Sequence, residues 1–421
     1  MQSENLKKTI YAAILGAGTV GTGVYKLCQQ MKDEFVQKTG ADLVVKKVLV
    51  RNASKKREGI EDAVLTDNWK EIIEDPEIDI VIEVMGGIEP AKTYIIEALE
   101  AGKQIVTANK DLLAEHGQEV MAAAEKAGAD LEFEAAVAGA IPIIRPLNQS
   151  LTADEITQIT GILNGTTNYI LTKMSQEGSS YEDVLKEAQD LGYAERNPEA
   201  DVEGYDTCRK IAILTSLAFG STVKFEEIQT EGITKISTAD FAYAEKPGRA
   251  SQKGEKLGCV VKLLATSFKK DEKVYAITAP FLIDATHPLY NVNDVLNGIY
   301  IHGNVIGDVM FFGAGAGKLP TASAVVADVV EMAKNVDKNI PVKWSSKKLE
   351  LVDYRSAENR FFVRVSGTDK TFVEKVFGNV EYIDAQGVTG ELGFVTEVMT
   401  EEALENKKAA YGEVLNVIRV A

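Results

Sequence analysis

The sequence predicts an α/β protein with three parts: a parallel-sheet N-terminal domain, a mixed α+β central domain and a small C-terminal βαββαβ unit. Three observations carry that reading. Short apolar runs alternate with helical stretches from residue 10 to residue 150. Beyond residue 150 the apolar runs lengthen and a helix-rich stretch intervenes. After residue 347 a strand–helix–strand–strand–helix–strand order fits within about 75 residues, the size of a ferredoxin-like unit. A chain of 421 residues is also too long for one ordinary core.

In the first part, "IYAAILGAG" reads as a buried parallel strand and "GTGVYKLCQQM" as the helix after it. "DLVVKKVLVRN", "IDIVIEVMG" and "QIVTANK" are further strands, separated by the helices "NWKEIIEDPE" and "PAKTYIIEALEAG"; "GQEVMAAAEKAG" is the next helix, and "ADLEFEAAVAG" adds a strand near residue 132. Strands and helices alternating at this spacing build βαβ units around a parallel sheet. Residues 1–150 form this domain and 151–321 the central one, where "EITQITGILNGTTNYILTKM" is a strand, a turn and a helix. "VVKLLATSFKKDEKVYAITAPFLI" is a pair of strands joined by a charged turn. An amphipathic helix over 322–336 is placed to return to the first domain, "DKNIPVKWSSKK" is a linker, and 347–421 is the C-terminal unit.

Hydrophobic residues make up 45% and charged residues 26%, the balance of a folded globular chain. The net charge of −17, from 63 acidic against 46 basic residues, repels phosphate backbones and anionic lipids, which argues against nucleic-acid and membrane-surface roles. No apolar run approaches the roughly 20 residues of a bilayer span, and "MQSENLKKTI" lacks a signal-peptide core, so a cytoplasmic location is expected. Cys28, Cys208 and Cys259 are odd in number and form no CxxC pair, which speaks against a disulfide framework or a structural zinc site.

"GAGTVG" places Gly16, Gly18 and Gly21 in GxGxxG spacing, with Thr19 and Val20 between them, after the first strand and at the head of a helix. The first glycine permits the tight turn, the second lets the backbone approach a pyrophosphate, and the third lets helix and strand pack closely. The reading is a Rossmann-type dinucleotide-binding domain. The second strand ends in "VLVRN" and "ASKKRE", so Arg51, Lys55, Lys56 and Arg57 stand where an acid would bind a ribose hydroxyl. A guanidinium there grips a 2′-phosphate, which favours NADP(H) over NAD(H). A second glycine run, "FFGAGAGKLPTASAV" with Gly313, is not a P-loop, because Leu319 follows Lys318. It either closes over the nicotinamide half of the cofactor or makes a tight interdomain connection.

"NPEADVEGYDTCRK" sets Glu199, Asp201, Glu203 and Asp206 ahead of Lys210. Such a run is a solvated loop, a metal site or a pocket for an ammonium group. Asp206 and Lys210 are i and i+4 on one helix face, either as a surface pair or as a carboxylate that orients a proton-handling lysine.

"AQDLGYAERNPEADVEGYDTCRK" closely resembles the signature of homoserine dehydrogenases, and "NGTTNYIL", "VTANK", "FEAAVAGAIPII" and "GAGAGKLPTASAV" resemble further segments of that family. The similarity spans essentially the whole chain, without a preceding kinase-sized extension, as in the family's monofunctional form. It implies reversible NAD(P)H-dependent reduction of L-aspartate 4-semialdehyde to L-homoserine on the route to threonine and methionine. By the same resemblance Lys210 is the proton donor and Lys110 a second lysine near nicotinamide and substrate. Glu195, Asp201 and Asp206 become substrate-binding acids. Glu134, Val137, Gly139 and Ile141 match a monovalent-cation (Na+) site with a structural role.

The C-terminal unit resembles an ACT domain, but its first loop, "VSGTDKTFVEKV", lacks the family's DxPG pattern, so dimerisation competes with threonine sensing. A homodimer or homotetramer is expected. Two rivals remain: a semialdehyde dehydrogenase using an activated cysteine, and a non-catalytic regulator that binds nucleotide and amino acid.

Overall fold

The computed structural model describes residues 8–244, 258–335, 340, 342 and 344–421. The linker expected over 337–348, and the last residue of the helix expected over 322–336, lie partly outside these residues. The chain forms two compact units. One comprises Met1–Ala153, Ser216–Lys224 and Ala314–Lys348; the other comprises Asp154–Thr215, Phe225–Gly313 and Leu349–Ala421.

The first unit opens on β1 (Lys8–Leu15). Ile10, Ala12, Ala13, Ile14 and Leu15 of this strand are wholly buried. A strand buried on both faces needs helices on each side, the habit of a parallel sheet. Helices α1 (Thr19–Gln30) and α2 (Lys32–Thr39) lead to β2 (Ala41–Leu49). Then come β3 (Leu65–Thr66), α3 (Lys70–Ile73), β4 (Ile78–Glu83) and α4 (Ala91–Glu100). The segment ends with β5 (Gln104–Thr107), α5 (Lys110–Ala127) and β6 (Leu131–Glu132). The strand order is β3-β2-β1-β4-β5-β6, and every pair is parallel. That is the Rossmann order; the switch point, where nucleotides bind in such sheets, lies between the carboxyl ends of β1 and β4.

The second unit begins with β7 (Ile156–Ile162), α6 (Gly165–Glu177), α7 (Tyr181–Asp190), α8 (Glu199–Val202) and α9 (Tyr205–Ala218). After β8 (Gln229–Thr230) and α10 (Thr238–Ala244) come the long strands β9 (Val260–Lys270) and β10 (Lys273–Ile283). Their connection is a two-residue hairpin in which Asp271 and Glu272 both take positive φ, 50° and 62°, as a type I′ turn requires. Two strands that the sequence reading left out follow, β11 (Leu296–Gly303) and β12 (Gly307–Ala314).

Helix α11 (Lys318–Lys334) belongs to the first unit. Ala322, Val325, Val326 and Val329 share a core there with Ile10, Ala12 and Ile14. The helix starts four residues before the expected 322 because Pro320 sits in its first turn, where a missing N–H costs no hydrogen bond.

The C-terminal segment runs β13 (Glu358–Ser366), α12 (Lys370–Phe377), β14 (Val380–Ile383), β15 (Glu391–Thr396), β16 (Met399–Thr400), α13 (Glu401–Tyr411) and β17 (Val414–Val420). Its strands lie in the order β17-β13-β15-β14. Parallel pairing of β17 with β10, at Phe281↔Arg419 and Leu282↔Val420, joins them to the central strands in one 11-stranded sheet. Among the described residues, no helix is long and apolar enough to cross a membrane.

Lys262 on β9 is only 2% exposed. Its ammonium donates to Asn168 Oδ1 (3.0 Å), the Val292 carbonyl (2.6 Å) and Asn293 Oδ1 (3.0 Å). All three acceptors are neutral, so burial dominates and brings the ammonium from 10.5 down to about 8. Below pH 8 the lysine is charged both folded and unfolded, and the burial cost is felt in full. From about pH 8 to 10.5 the native state sheds its proton first, so stability rises with pH. Relative to Lys262→Met, the wild type should gain about 2 kcal/mol of unfolding free energy between pH 8 and 10 in urea titrations. Parallel stability curves for the two proteins would contradict this placement of the charge.

Candidate active site

At the switch point of the first unit, Gly16 leaves β1 with φ of 105°. A Cβ on Gly21 would sit 2.0 Å from the Gly16 carbonyl oxygen, whereas one on Gly18 would meet nothing within 4 Å. The glycines therefore do different work: Gly16 makes the turn, Gly21 allows contact, and Gly18 leaves open space at the N-cap of α1. No side chain caps that helix, and its first turn, which begins with Thr19 and Val20, carries no acid. Its free N–H groups and dipole present an anion site.

A cavity of about 480 Å³ adjoins this turn, lined by Gly16, Gly18, Arg51 and Arg57 among others. Among the described residues, the Arg57 Nε is buried and lacks a hydrogen-bond partner. An unpaired guanidinium N–H in such a cavity fits an anionic ligand. Asp67 also lines it, an acid at the end of β3 that sequence reasoning missed.

The carboxyl ends of β4 and β5 are tied together. Glu83, fully buried, accepts from the Met85 amide (2.7 Å) and the Thr107 hydroxyl (2.6 Å). Burial raises its carboxyl, and these bonds oppose the shift. Asn109 caps α5 by accepting from the Leu112 amide (3.1 Å) and donates to the Gly87 carbonyl (2.7 Å). Lys110 is the first residue of that helix and is half-buried.

In the second unit, Asp206 and Lys210 lie one turn apart on α9, and both are buried. The Lys210 ammonium donates to Asp206 Oδ2 (2.7 Å) and to the Leu163 carbonyl (2.8 Å). Asn164 donates to both Asp201 Oδ1 (2.7 Å) and Asp206 Oδ2 (2.9 Å). Burial raises the Asp201 carboxyl, and the Asn164 bond opposes the rise. Two acids, an amide and a lysine thus form one buried hydrogen-bonded group. Glu195 stands apart from it: its side chain is exposed, and its carbonyl accepts from Gln189 (3.1 Å).

Family models describing homoserine dehydrogenase and the homoserine dehydrogenase NAD-binding domain match residues 142–330 and 16–134. The homoserine dehydrogenase of Bacillus subtilis is 44% identical over 330 residues, covering 78% of this chain and 74% of the relative. That of Corynebacterium glutamicum is 43% identical over 368 residues, covering 86% and 80%. The crystal structure of a homoserine dehydrogenase from Thiobacillus denitrificans superposes with a TM-score of 0.89 at 33% identity, over 99% of both chains. The chain belongs to the homoserine dehydrogenase family. It is accordingly an NAD(P)-dependent oxidoreductase that acts on a CH–OH group.

Homoserine dehydrogenase chemistry needs no thiolate, and the cysteines agree. Burial raises Cys28 to about 12, Cys259 to about 11 and Cys208 above its ordinary value, so none is primed for the thioester chemistry of a semialdehyde dehydrogenase. Among the described residues, no group of three or more His, Cys, Asp and Glu side chains is arranged to hold a metal.

In the "FEAAVAGAIP" segment, the Glu134 carboxylate accepts from the Ile143, Ile144 and Arg145 amides (2.5, 2.7 and 2.8 Å). Ala138 and Gly139 are both left-handed, with φ of 56° and 54°. Val137 and Ile141 are buried. Among the described residues, no hydrogen-bond donor meets the carbonyls of Val137, Gly139 or Ile141. A Cβ on Gly139 would lie 2.5 Å from the Gly315 carbonyl oxygen, so the glycine loop at 315–317 packs on this turn. Gly313 lies near the end of β12, just ahead of that loop.

Asn164 is a second residue that sequence reasoning missed. Its signal was present, an asparagine opening "GTTNYIL" after a strand, but that pattern announces only a helix cap. The contrast between two glycines yields a prediction. Gly21→Ala should destabilise the first unit by several kcal/mol, on the scale of a buried backbone clash. Gly18→Ala should leave the unfolding temperature within about 2 °C while weakening NADPH binding about 10-fold or more. Thermal melts and NADPH fluorescence titration read both, and equal effects of the two substitutions would refute the division of roles.

Proposed function

We propose that the chain catalyses the reversible reduction of L-aspartate 4-semialdehyde to L-homoserine, with NADP(H) preferred over NAD(H) and Lys210 handling the proton. The observation that carries this reading is the buried Lys210 ammonium, held by one carboxylate and one carbonyl. An ammonium has three N–H bonds. Two are spent on Asp206 and Leu163, and the third is the one assigned to the substrate oxygen.

When bound, the nicotinamide supplies the hydride in reduction and takes it up in oxidation. The residues of the chain manage charge. As the aldehyde oxygen gains negative charge, Lys210 stabilises it and then donates its proton. In oxidation a neutral Lys210 removes the hydroxyl proton. Asp206 keeps the ammonium in place; with Asp201 and Glu195 it receives the substrate's ammonium and hydroxyl. Lys110, at the head of α5, is the second cation for nicotinamide and substrate.

The nucleotide is assigned to Gly16, Gly18, Thr19, Val20 and Gly21, with Arg51 and Arg57 on the 2′-phosphate and Gly313 nearer the nicotinamide. One superposable archaeal structure, 27% identical with a TM-score of 0.63 over 77% of this chain, is described as a homoserine dehydrogenase in complex with NADPH. A monovalent cation, Na+, is assigned to the turn of Glu134, Val137, Gly139 and Ile141. The buried carbonyls of that turn suit a hard cation. With the Glu134 carboxylate occupied by three amides, the donors are backbone oxygens.

We divide the chain functionally at 1–150, 151–321 and 347–421, the last as a ferredoxin-like, ACT-type unit. Its strand order supports that, while the loop between β13 and α12 lacks the proline–glycine pair of a threonine sensor. A homodimer or homotetramer completes the proposal.

Lys210→Met should lower kcat by about 10²- to 10⁴-fold in both directions with little change in NADPH affinity. Normal turnover in that variant, followed by NADPH absorbance, would end the assignment. Replacing Arg51 and Arg57 together by alanine should raise KM for NADPH by about 10- to 100-fold and leave KM for NADH within about twofold. An equal loss with both cofactors would show that the arginines do not read the 2′-phosphate.

A further inference from the structure

We propose that Asn164 is the positioning residue of the Asp206–Lys210 pair, its amide fixing the carboxylate to which the lysine is bound; the proposal rests on the reading of Lys210 as proton donor. Three observations carry it. The Asn164 amide spends its two N–H bonds on two different acids, Asp201 Oδ1 and Asp206 Oδ2. The oxygen it holds on Asp206 is the one that accepts from Lys210. The residue before it, Leu163, supplies the other acceptor of the same ammonium. Two consecutive residues at the end of β7 therefore clamp both members of the pair, a carbonyl on the lysine and an amide on the aspartate.

The clamp is rigid. Asn164 Oδ1 caps α6 by accepting from the Thr167 amide (2.9 Å) and the Thr167 hydroxyl (3.1 Å). A Cβ on the next residue, Gly165, would lie 2.7 Å from the Val295 carbonyl oxygen, so this turn is seated against backbone. Asparagine suits the position chemically: it bridges two carboxylates that repel one another, yet adds no charge to compete with Lys210 for Asp206. Glutamine is longer, aspartate cannot donate, and serine has one donor.

A cap and a clamp differ in what replaces them. Asn164→Ser keeps a good N-cap oxygen for α6 but loses the bridge between the acids. It should lower kcat by about 10- to 100-fold, the scale of a misplaced catalytic group, with NADPH affinity and far-UV circular dichroism unchanged. The charged groups acting on Asp201 are Asp206 and Lys210. With the Asn164 bond gone, the Asp201 carboxyl protonates at higher pH, and the acid limb of the kcat–pH profile for reduction, the direction that uses charged Lys210, moves up. Asn164→Asp, which keeps the cap and adds a third carboxylate, should move that limb further, and it carries the test if the serine variant does not fold.

In a Lys210→Met background, Asn164→Ser should cost less than about twofold more, because its effect passes through the lysine. Wild-type kcat with an unmoved acid limb would overturn the proposal, as would an equal loss in both backgrounds. Normal turnover in Lys210→Met alone would instead sink the proton-donor assignment itself, a separable result.

Discussion

A buried ammonium must find acceptors, and that requirement organises the start of α9 in the second unit. Lys210 is 9% exposed, and its charge is met by one carboxylate and one carbonyl. Removing one partner of a buried charged pair typically costs 3–5 kcal/mol, so the surrounding chain is committed to this geometry. The acid run ahead of the lysine divides accordingly. Asp201 and Asp206 turn inward onto Asn164. Glu199 stays exposed, and Glu203 accepts from Thr234 (3.0 Å). Carboxylates that look equivalent in sequence thus separate into two that serve the lysine and two that do not.

The same requirement explains how the C-terminal segment is held. Arg364 on β13 is 7% exposed and meets Asp240 on α10 (2.9 Å) and Glu391 on β15 through two bonds (2.9 and 2.8 Å). Arg419 on β17 donates twice to Glu231 (2.9 and 2.6 Å). Each guanidinium is bidentate to a carboxylate, the geometry in which such pairs are strongest. Each also binds the C-terminal strands to residues before 245. Together with the β10–β17 pairing they make this segment a continuation of the central sheet.

What was legible in the sequence was local. Gly16, Gly18 and Gly21 act within six residues of one another, so their spacing alone announces the turn, the opening and the contact. The same holds for Asp206 and Lys210, one helical turn apart. Long-range partners left little trace. Asn164 meets Asp206 across 42 residues, and nothing about an asparagine before a helix tells which acids it will hold. Lys262 lies within an apolar run that reads as a strand, and its three acceptors come from distant segments. Strand β11 escaped because Asn297, Gly298 and Gly303 interrupt its apolar run, and α2 because it follows α1 with only Met31 between. The joining of the C-terminal strands to β10 rests on two residue pairs, Phe281↔Arg419 and Leu282↔Val420, each 138 positions apart, and no local pattern encodes that.

Cofactor choice shows how local reading and folded geometry combine. The sequence put Arg51 and Arg57 after the second strand and found no acid among them. The fold adds one, since Asp67 at the end of β3 lines the same cavity. A carboxylate there repels a 2′-phosphate and attracts a ribose hydroxyl, so Asp67 works against the arginines. Two features limit its pull. Its Oδ2 faces the Ala53 amide at 3.4 Å, on the loop that carries the arginines. The side chain is also exposed, where water screens its charge to a fraction of the in-protein interaction. Among the described residues, Arg57, by contrast, is partly buried and keeps an Nε without a hydrogen-bond partner. A guanidinium that has already lost part of its hydration without gaining a partner is stabilised when a phosphate arrives.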